Sequence, residues 1–171
     1  MTNKELIKNL NSNNPNLIIQ TLNFISNQGS SEIVDHLIDL LHKNKDQQIQ
    51  AELIHILENI HDQKSVIPIT NALKNTKYIN ERALLLSTCW KNSIKYDEFA
   101  ELFTDIFIES NFEEAFDAFT VLDNLHSVSD ENITKCILKL ESSVEDANDL
   151  KKPLFSELIK IFLSFKENPA E

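Results

Sequence analysis

Four acids set three or four residues apart, Glu98, Glu101, Asp105 and Glu109, are the residues of this chain whose type and spacing best define a surface chemistry. Those steps place them on one face of a helix, where like charges repel by a few tenths of a kcal/mol per neighbouring pair. A face that weakens its own helix in this way suits the attraction of a basic peptide or protein patch. Between Lys95 and Lys135 the chain carries eleven acids and no Lys or Arg, so along its own helix the stripe is uncompensated. The formal net charge is −11, which this segment alone reproduces, since the other sixteen acids balance the 16 bases. Six of the ten phenylalanines, Phe99, Phe103, Phe107, Phe112, Phe116 and Phe119, lie in the same stretch. Two readings stay open: a solvated acidic face over an aromatic core, or an acidic groove steering a basic partner.

Catalytic and metal-binding patterns are sparse. The five histidines, His36, His42, His55, His61 and His126, never stand four apart and never occur in an H-E-x-x-H arrangement. His36, beside Asp35 and Asp39, is the least poor candidate for a site. Cys89 and Cys136 form no C-x-x-C pair and sit in apolar helical contexts, so they read as buried, reduced thiols. Gly29 is the only glycine, which excludes the Walker loop, the dinucleotide fingerprint and the G-x-S-x-G elbow, all of which need several. The expectation is a chain that is not an enzyme, with no catalytic residue, no cofactor and no metal. One arginine, Arg82, and an acidic surplus argue against nucleic acid, whose affinity comes from cations displacing counterions. No apolar run approaches the roughly 20 residues that span a bilayer, and the first residues lack a signal-peptide h-region, so no membrane and a cytoplasmic location are expected.

The elements that must carry these residues are helices. Apolar residues recurring at three and four predict helices at about 2–11, 15–27, 31–44, 46–61, 64–75, 78–94, 97–110, 112–126, 130–144 and 147–166. Asn14 ahead of Pro15 marks an N-cap with proline in the first turn; Ser31 and Asp130 are further candidate caps, and Asp97 precedes the apolar run of Phe99, Phe103 and Phe107. The near absence of Gly, with only Pro15, Pro68, Pro153 and Pro169, leaves few turn signals for β-hairpins.

The chain also matches itself. Shifted by 32 residues, Leu17 falls on Ile49, Phe24 on Ile56, Ile25 on Leu57, Val34 on Val66, Leu37 on Ile69 and Leu41 on Leu73. A period of this size signals stacked helix pairs, each unable to bury its apolar face alone. The stretch from Asp46 to Asn75 resembles the HEAT-like repeat: Asp46 opens a first helix, Ile49 follows, Leu57 and Asp62 mark its end and the turn, and Val66, Ile69 and Leu73 form the second helix. Looser copies continue through Leu86, Cys89, Phe99, Leu102 and Ile106, and then Val121, Leu122, Leu125, Ile133, Cys136 and Leu140. Where the family usually has Arg after the first aliphatic, this chain has Ile18 and Gln50.

The resemblance implies an all-α fold, a right-handed superhelix of about four helix pairs over 14–144. A cap helix at 1–13 and another with its tail at 145–171 would close it as one domain. It further implies that the second helix of each pair lines a concave surface, which would turn Glu98, Glu101, Asp105 and Glu109 into the groove. Di-iron enzymes on such repeats use His-Glu dipeptides, and no histidine here precedes Glu. The expected role is a protein-binding scaffold or adaptor for a basic protein or peptide. The alternatives are a bilin-lyase-like enzyme or ligand-binding module on the same fold, and a structural subunit that forms a homodimer through helix 147–166, whose apolar residues cover an arc of roughly 200°.

Overall fold

The structure, a computed structural model, describes residues 1–28 and 31–167. Gly29, Pro169 and the end of the expected tail, 168–171, lie outside the described residues. The fold is all-α: among the described residues there are ten α-helices and no strand. They are α1 (Asn3–Leu10), α2 (Pro15–Gln28), α3 (Val34–Lys43), α4 (Gln47–Glu58), α5 (Val66–Lys74), α6 (Arg82–Lys91), α7 (Ala100–Glu109), α8 (Phe112–Asp123), α9 (Asp130–Ser143) and α10 (Lys152–Glu167). Short 3-10 turns lead into α3, α5 and α7, at Ser31–Ile33, Gln63–Ser65 and Asp97–Phe99, and a fourth at Thr76–Tyr78 precedes α6.

Short polar side chains fix the starts. Thr2 and Glu5 close a reciprocal capping box on α1. Asn14 accepts from the backbone of Asn16 at 3.1 Å and of Leu17 at 3.4 Å, with Pro15 in the first turn of α2. Asp46 accepts from Gln48 and Ile49 at the start of α4, and Asn111 from Glu114 at the start of α8. Several expected starts shift: α10 begins at Lys152 and not at 147, and α3 begins at Val34 behind the turn Ser31–Ile33 with no side-chain cap, so Ser31 is not its N-cap. α9 is capped by Ser129, one residue before Asp130. α6 begins at Arg82 and not at 78, because the Asn75 side chain caps Lys77 and winds Thr76–Tyr78 into its own turn. Asp97 caps no helix: its Oδ1 accepts the backbone N–H groups of His126 and Ser127, each at 2.7 Å.

The helices gather into two compact units, Met1–Ile94 and Lys95–Glu171. In the first, α2 packs on α4, α4 on α6 and α3 on α5, while α1 lies against α2 and α3. Helices two apart in the chain are thus neighbours. Ile49, Leu53, Ile56 and Leu57 are buried on α4, and Val66, Ile69 and Leu73 on α5, as their spacing requires.

In the second unit α7 meets α8 and α9, and α10 meets both α8 and α9. Phe103, Phe107, Phe155 and Phe162 form its centre with Leu122, Ile133, Leu140 and Leu158. Each phenyl ring removed from water stabilises the unit by about 2–3 kcal/mol, and Phe107 meets Phe155 edge-on at 4.7 Å. Lys151 is almost wholly buried and donates its Nζ to the carbonyls of Ile108 at 2.9 Å and Ser110 at 3.0 Å. A cation thereby closes the C-terminal end of α7, where unpaired carbonyls and the helix dipole both favour it.

Candidate functional site

α7 and the turn before it carry the four acids. Glu98 lies exposed in the turn Asp97–Phe99, and Glu109 is exposed at the last position of α7. Glu101 and Asp105, one turn apart, are half-buried and share a cation from a neighbouring helix: Lys139 of α9 stands 2.8 Å from Glu101 and 2.6 Å from Asp105. This corrects the expectation of an uncompensated stripe on an open face. The compensation comes from α9, 34 residues beyond Asp105 in the chain and outside the range of any pattern within α7. The hydrogen bond from Lys139 holds the Glu101 carboxyl below its ordinary value. Burial lowers the proton affinity of Lys139, but its hydrogen bonds to Asp105 and Glu101 outweigh that and raise it. Of the stripe, Glu98 and Glu109 remain as exposed charge.

The phenylalanines divide in a way that composition did not reveal. Phe103 and Phe107 are core, whereas Phe112 and Phe116 on α8 are 39% and 50% exposed, and Phe119 is half-buried. A single aromatic core under an acidic face therefore describes α7 and not α8. Their spacing of four and three residues was the available signal, but it identifies one face of a helix without saying whether that face is the covered one.

In the first unit, polar side chains cluster around Asp39 and Glu81. Asp39 accepts from Lys77, from the Tyr78 hydroxyl at 2.6 Å and from Lys43 at 3.2 Å. Its carboxyl is held far below the ordinary range, first by Lys77 and then by Tyr78, and the Tyr78 hydroxyl is pushed up by burial and by Asp39. Glu81, nearly buried, faces His42 Nδ1 at 3.0 Å and Lys45 at 3.6 Å. His36 is half-buried on α3, and Asp39 turns to Lys77 and Tyr78. His61 Nδ1 and Ser93 Oγ lie 2.6 Å apart, a nucleophile–base distance, but both side chains are exposed. Their exposure leaves the pair open to water, which a catalytic nucleophile and base ordinarily exclude. An open cleft of about 850 Å³ borders His55, His61, Asp62 and Glu32, with the buried Ser65 hydroxyl in its wall. Among the described residues no three His, Cys, Asp or Glu converge as a metal site, and both cysteines are buried thiols. No helix among them is long and apolar enough to cross a membrane.

Several of these polar groups tie together elements about 30 residues apart in the chain. In the first unit Asn3 bonds Glu32, Ser31 bonds Asp62, Lys91 bonds Glu58 at 2.7 Å, and Ser93 meets both His61 and the Ile60 carbonyl. In the second, Asp97 holds the backbone at His126 and Ser127, Lys139 bridges to Asp105, and Lys166 reaches Thr134. The spacing of these ties runs from 29 to 34 residues, close to the self-matching period. At the position where an arginine was missing, Ile18 is buried and Gln50 donates to the Asn44 carbonyl at 2.9 Å. Compared with known proteins, the sequence matches no protein-family model and no curated protein.

Proposed function

We infer that this chain is built of HEAT-like helical repeats and serves as a protein-binding scaffold that presents an acidic helical surface to a basic protein or peptide. The stacking of helices two apart, and the polar ties repeating at about one period, support the repeat reading within each unit. The observation that carries the binding role is the partition of charge. The first unit holds nine Lys and Arg against nine Asp and Glu, and the second holds seven against eighteen, so the whole net charge of −11 resides in Lys95–Glu171. A concentrated field of one sign raises the encounter rate with cations and rejects polyanions. Nucleic acid and anionic membranes are thereby disfavoured as partners. A homodimer through α10 is the weaker alternative: Phe155, Leu158 and Phe162 are already covered by its own unit, which leaves Leu163 as its exposed large apolar side chain.

The test is charge reversal at the exposed acids. Glu98→Lys with Glu109→Lys should leave the melting temperature within a degree or two, while slowing association with a basic partner peptide several-fold and flattening its salt dependence. Stopped-flow association at two ionic strengths reads both effects. Rates that stay the same at low and high salt would remove the acidic surface from the binding role. Glu101 and Asp105 are unsuitable for this test, since reversing them places three cations together at Lys139.

A further inference from the structure

We propose that the docking surface is the phenylalanine ladder of α8, and that its occupant is an Arg- or Lys-bearing amphipathic protein segment that lays its cations on the phenyl faces. The proposal rests on the basic-partner reading above and adds where and how that partner is held. At about 100° per residue, Phe112, Phe116, Phe119 and Asp123 fall within roughly 60° of one another. The buried side of the same helix, Ala115, Ala118, Val121 and Leu122, points elsewhere. Phe112 stacks on Phe116 at 6.2 Å and 29°, and Phe116 on Phe119 at 6.3 Å and 18°. The result is a row of near-parallel rings, two of them 39% and 50% exposed, on a line where a surface helix ordinarily carries charge.

Charge complementarity selects the occupant. The ring faces carry negative quadrupole density that attracts ammonium and guanidinium groups. Glu113 and Asp123, both exposed, accompany the ladder on α8, and Glu109 ends the preceding helix. The stretch between Lys95 and Lys135 that contains the ladder supplies no Lys or Arg of its own. A second copy of this chain would bring −11 against −11, and an anionic bilayer would be repelled likewise. A basic amphipathic segment satisfies both features, with apolar side chains on the rings' edges and cations on their faces and on the flanking carboxylates.

The experiment uses the full chain and a fluorescent amphipathic peptide of alternating Leu and Arg faces, with its Glu-for-Arg counterpart as control. The wild type should bind the Arg peptide and not the Glu peptide. Phe112→Ser with Phe116→Ser should weaken binding by about tenfold or more at high salt, where the steering field is screened, with an unchanged melting temperature. Phe112→Leu with Phe116→Leu keeps apolar area and removes the ring faces, so its affinity should fall between the two. Either pair binding as tightly as wild type overturns the proposal. If reversal at Glu98 and Glu109 weakens the Arg peptide while the Phe pairs do not, the ladder is excluded and the acidic scaffold stands. No binding of the Arg peptide by wild type defeats both. Sedimentation and flotation with phosphatidylserine vesicles close the remaining routes: self-association or vesicle binding abolished by Phe112→Ser/Phe116→Ser would assign the ladder to another occupant and overturn the proposal.

Discussion

Asp39 shows how one side chain can join elements far apart in sequence. It draws Lys77 and Tyr78, 38 and 39 residues away, onto α3, and it remains 30% exposed. Its folded-state carboxyl binds protons less readily than the ordinary aspartate, whose value is near 3.8. The group therefore contributes stability that is fully present above that value and is lost as pH falls toward its lowered folded value. Asp39→Asn should cost about 1 kcal/mol near pH 6, the low end for a charged hydrogen-bond acceptor because solvent screens it. The difference from wild type should shrink steadily below about pH 4. Urea unfolding across that range measures it; a difference that does not vary with pH would deny the carboxylate its role.

At the scale of the helix, α8 and α10 each carry three phenylalanines and put them to opposite use. α10 buries Phe155, Leu158 and Phe162 against α8 and α9, and the residue just before it, Lys151, closes the end of α7. α8 turns two phenylalanines outward. Deletion from Asp149 onward should accordingly strip the second unit of three core side chains and its buried cation. Each large core side chain lost typically costs about 2–5 kcal/mol, more in sum than a small unit's total stability. The truncated chain should lose the cooperative unfolding of Lys95–Glu171 and self-associate through exposed apolar surface. Calorimetry and sedimentation check this; a monomer with an unchanged transition would show α10 to be an appendage.

Across the whole molecule, the charge imbalance makes the two units respond differently to salt. Eighteen acids against seven bases repel one another in the second unit, while the first is balanced. Screening at about 0.5 M salt shortens the range of that repulsion to a few Å. Raising ionic strength should therefore raise the melting temperature of a transition belonging to Lys95–Glu171 by a few degrees, and leave one belonging to Met1–Ile94 nearly unmoved. Scanning calorimetry with hydrogen exchange to assign the transitions tests it. A first-unit transition that moved as far as the second would remove the partition as the cause.

The ten helices and most of their starts were legible in the sequence, because helix periodicity and N-caps such as Asn14 and Asp46 are local physics, acting within about four residues. So was the position of the surplus charge, which is a count. The pairing of Lys139 with Glu101 and Asp105 was not legible, nor the outward turn of Phe112 and Phe116. A stripe of apolar residues marks a face of a helix, but which face is covered depends on where the neighbouring helices pack against it. α7 packs on both α8 and α9, and its Phe103 and Phe107 are core. α8 packs on α7 and α10 through its small side chains Ala115 and Ala118, and its Phe112 and Phe116 face out. Only the tertiary structure decides that, since burial and ion pairing are set by residues some 30 positions away, beyond the reach of any local pattern.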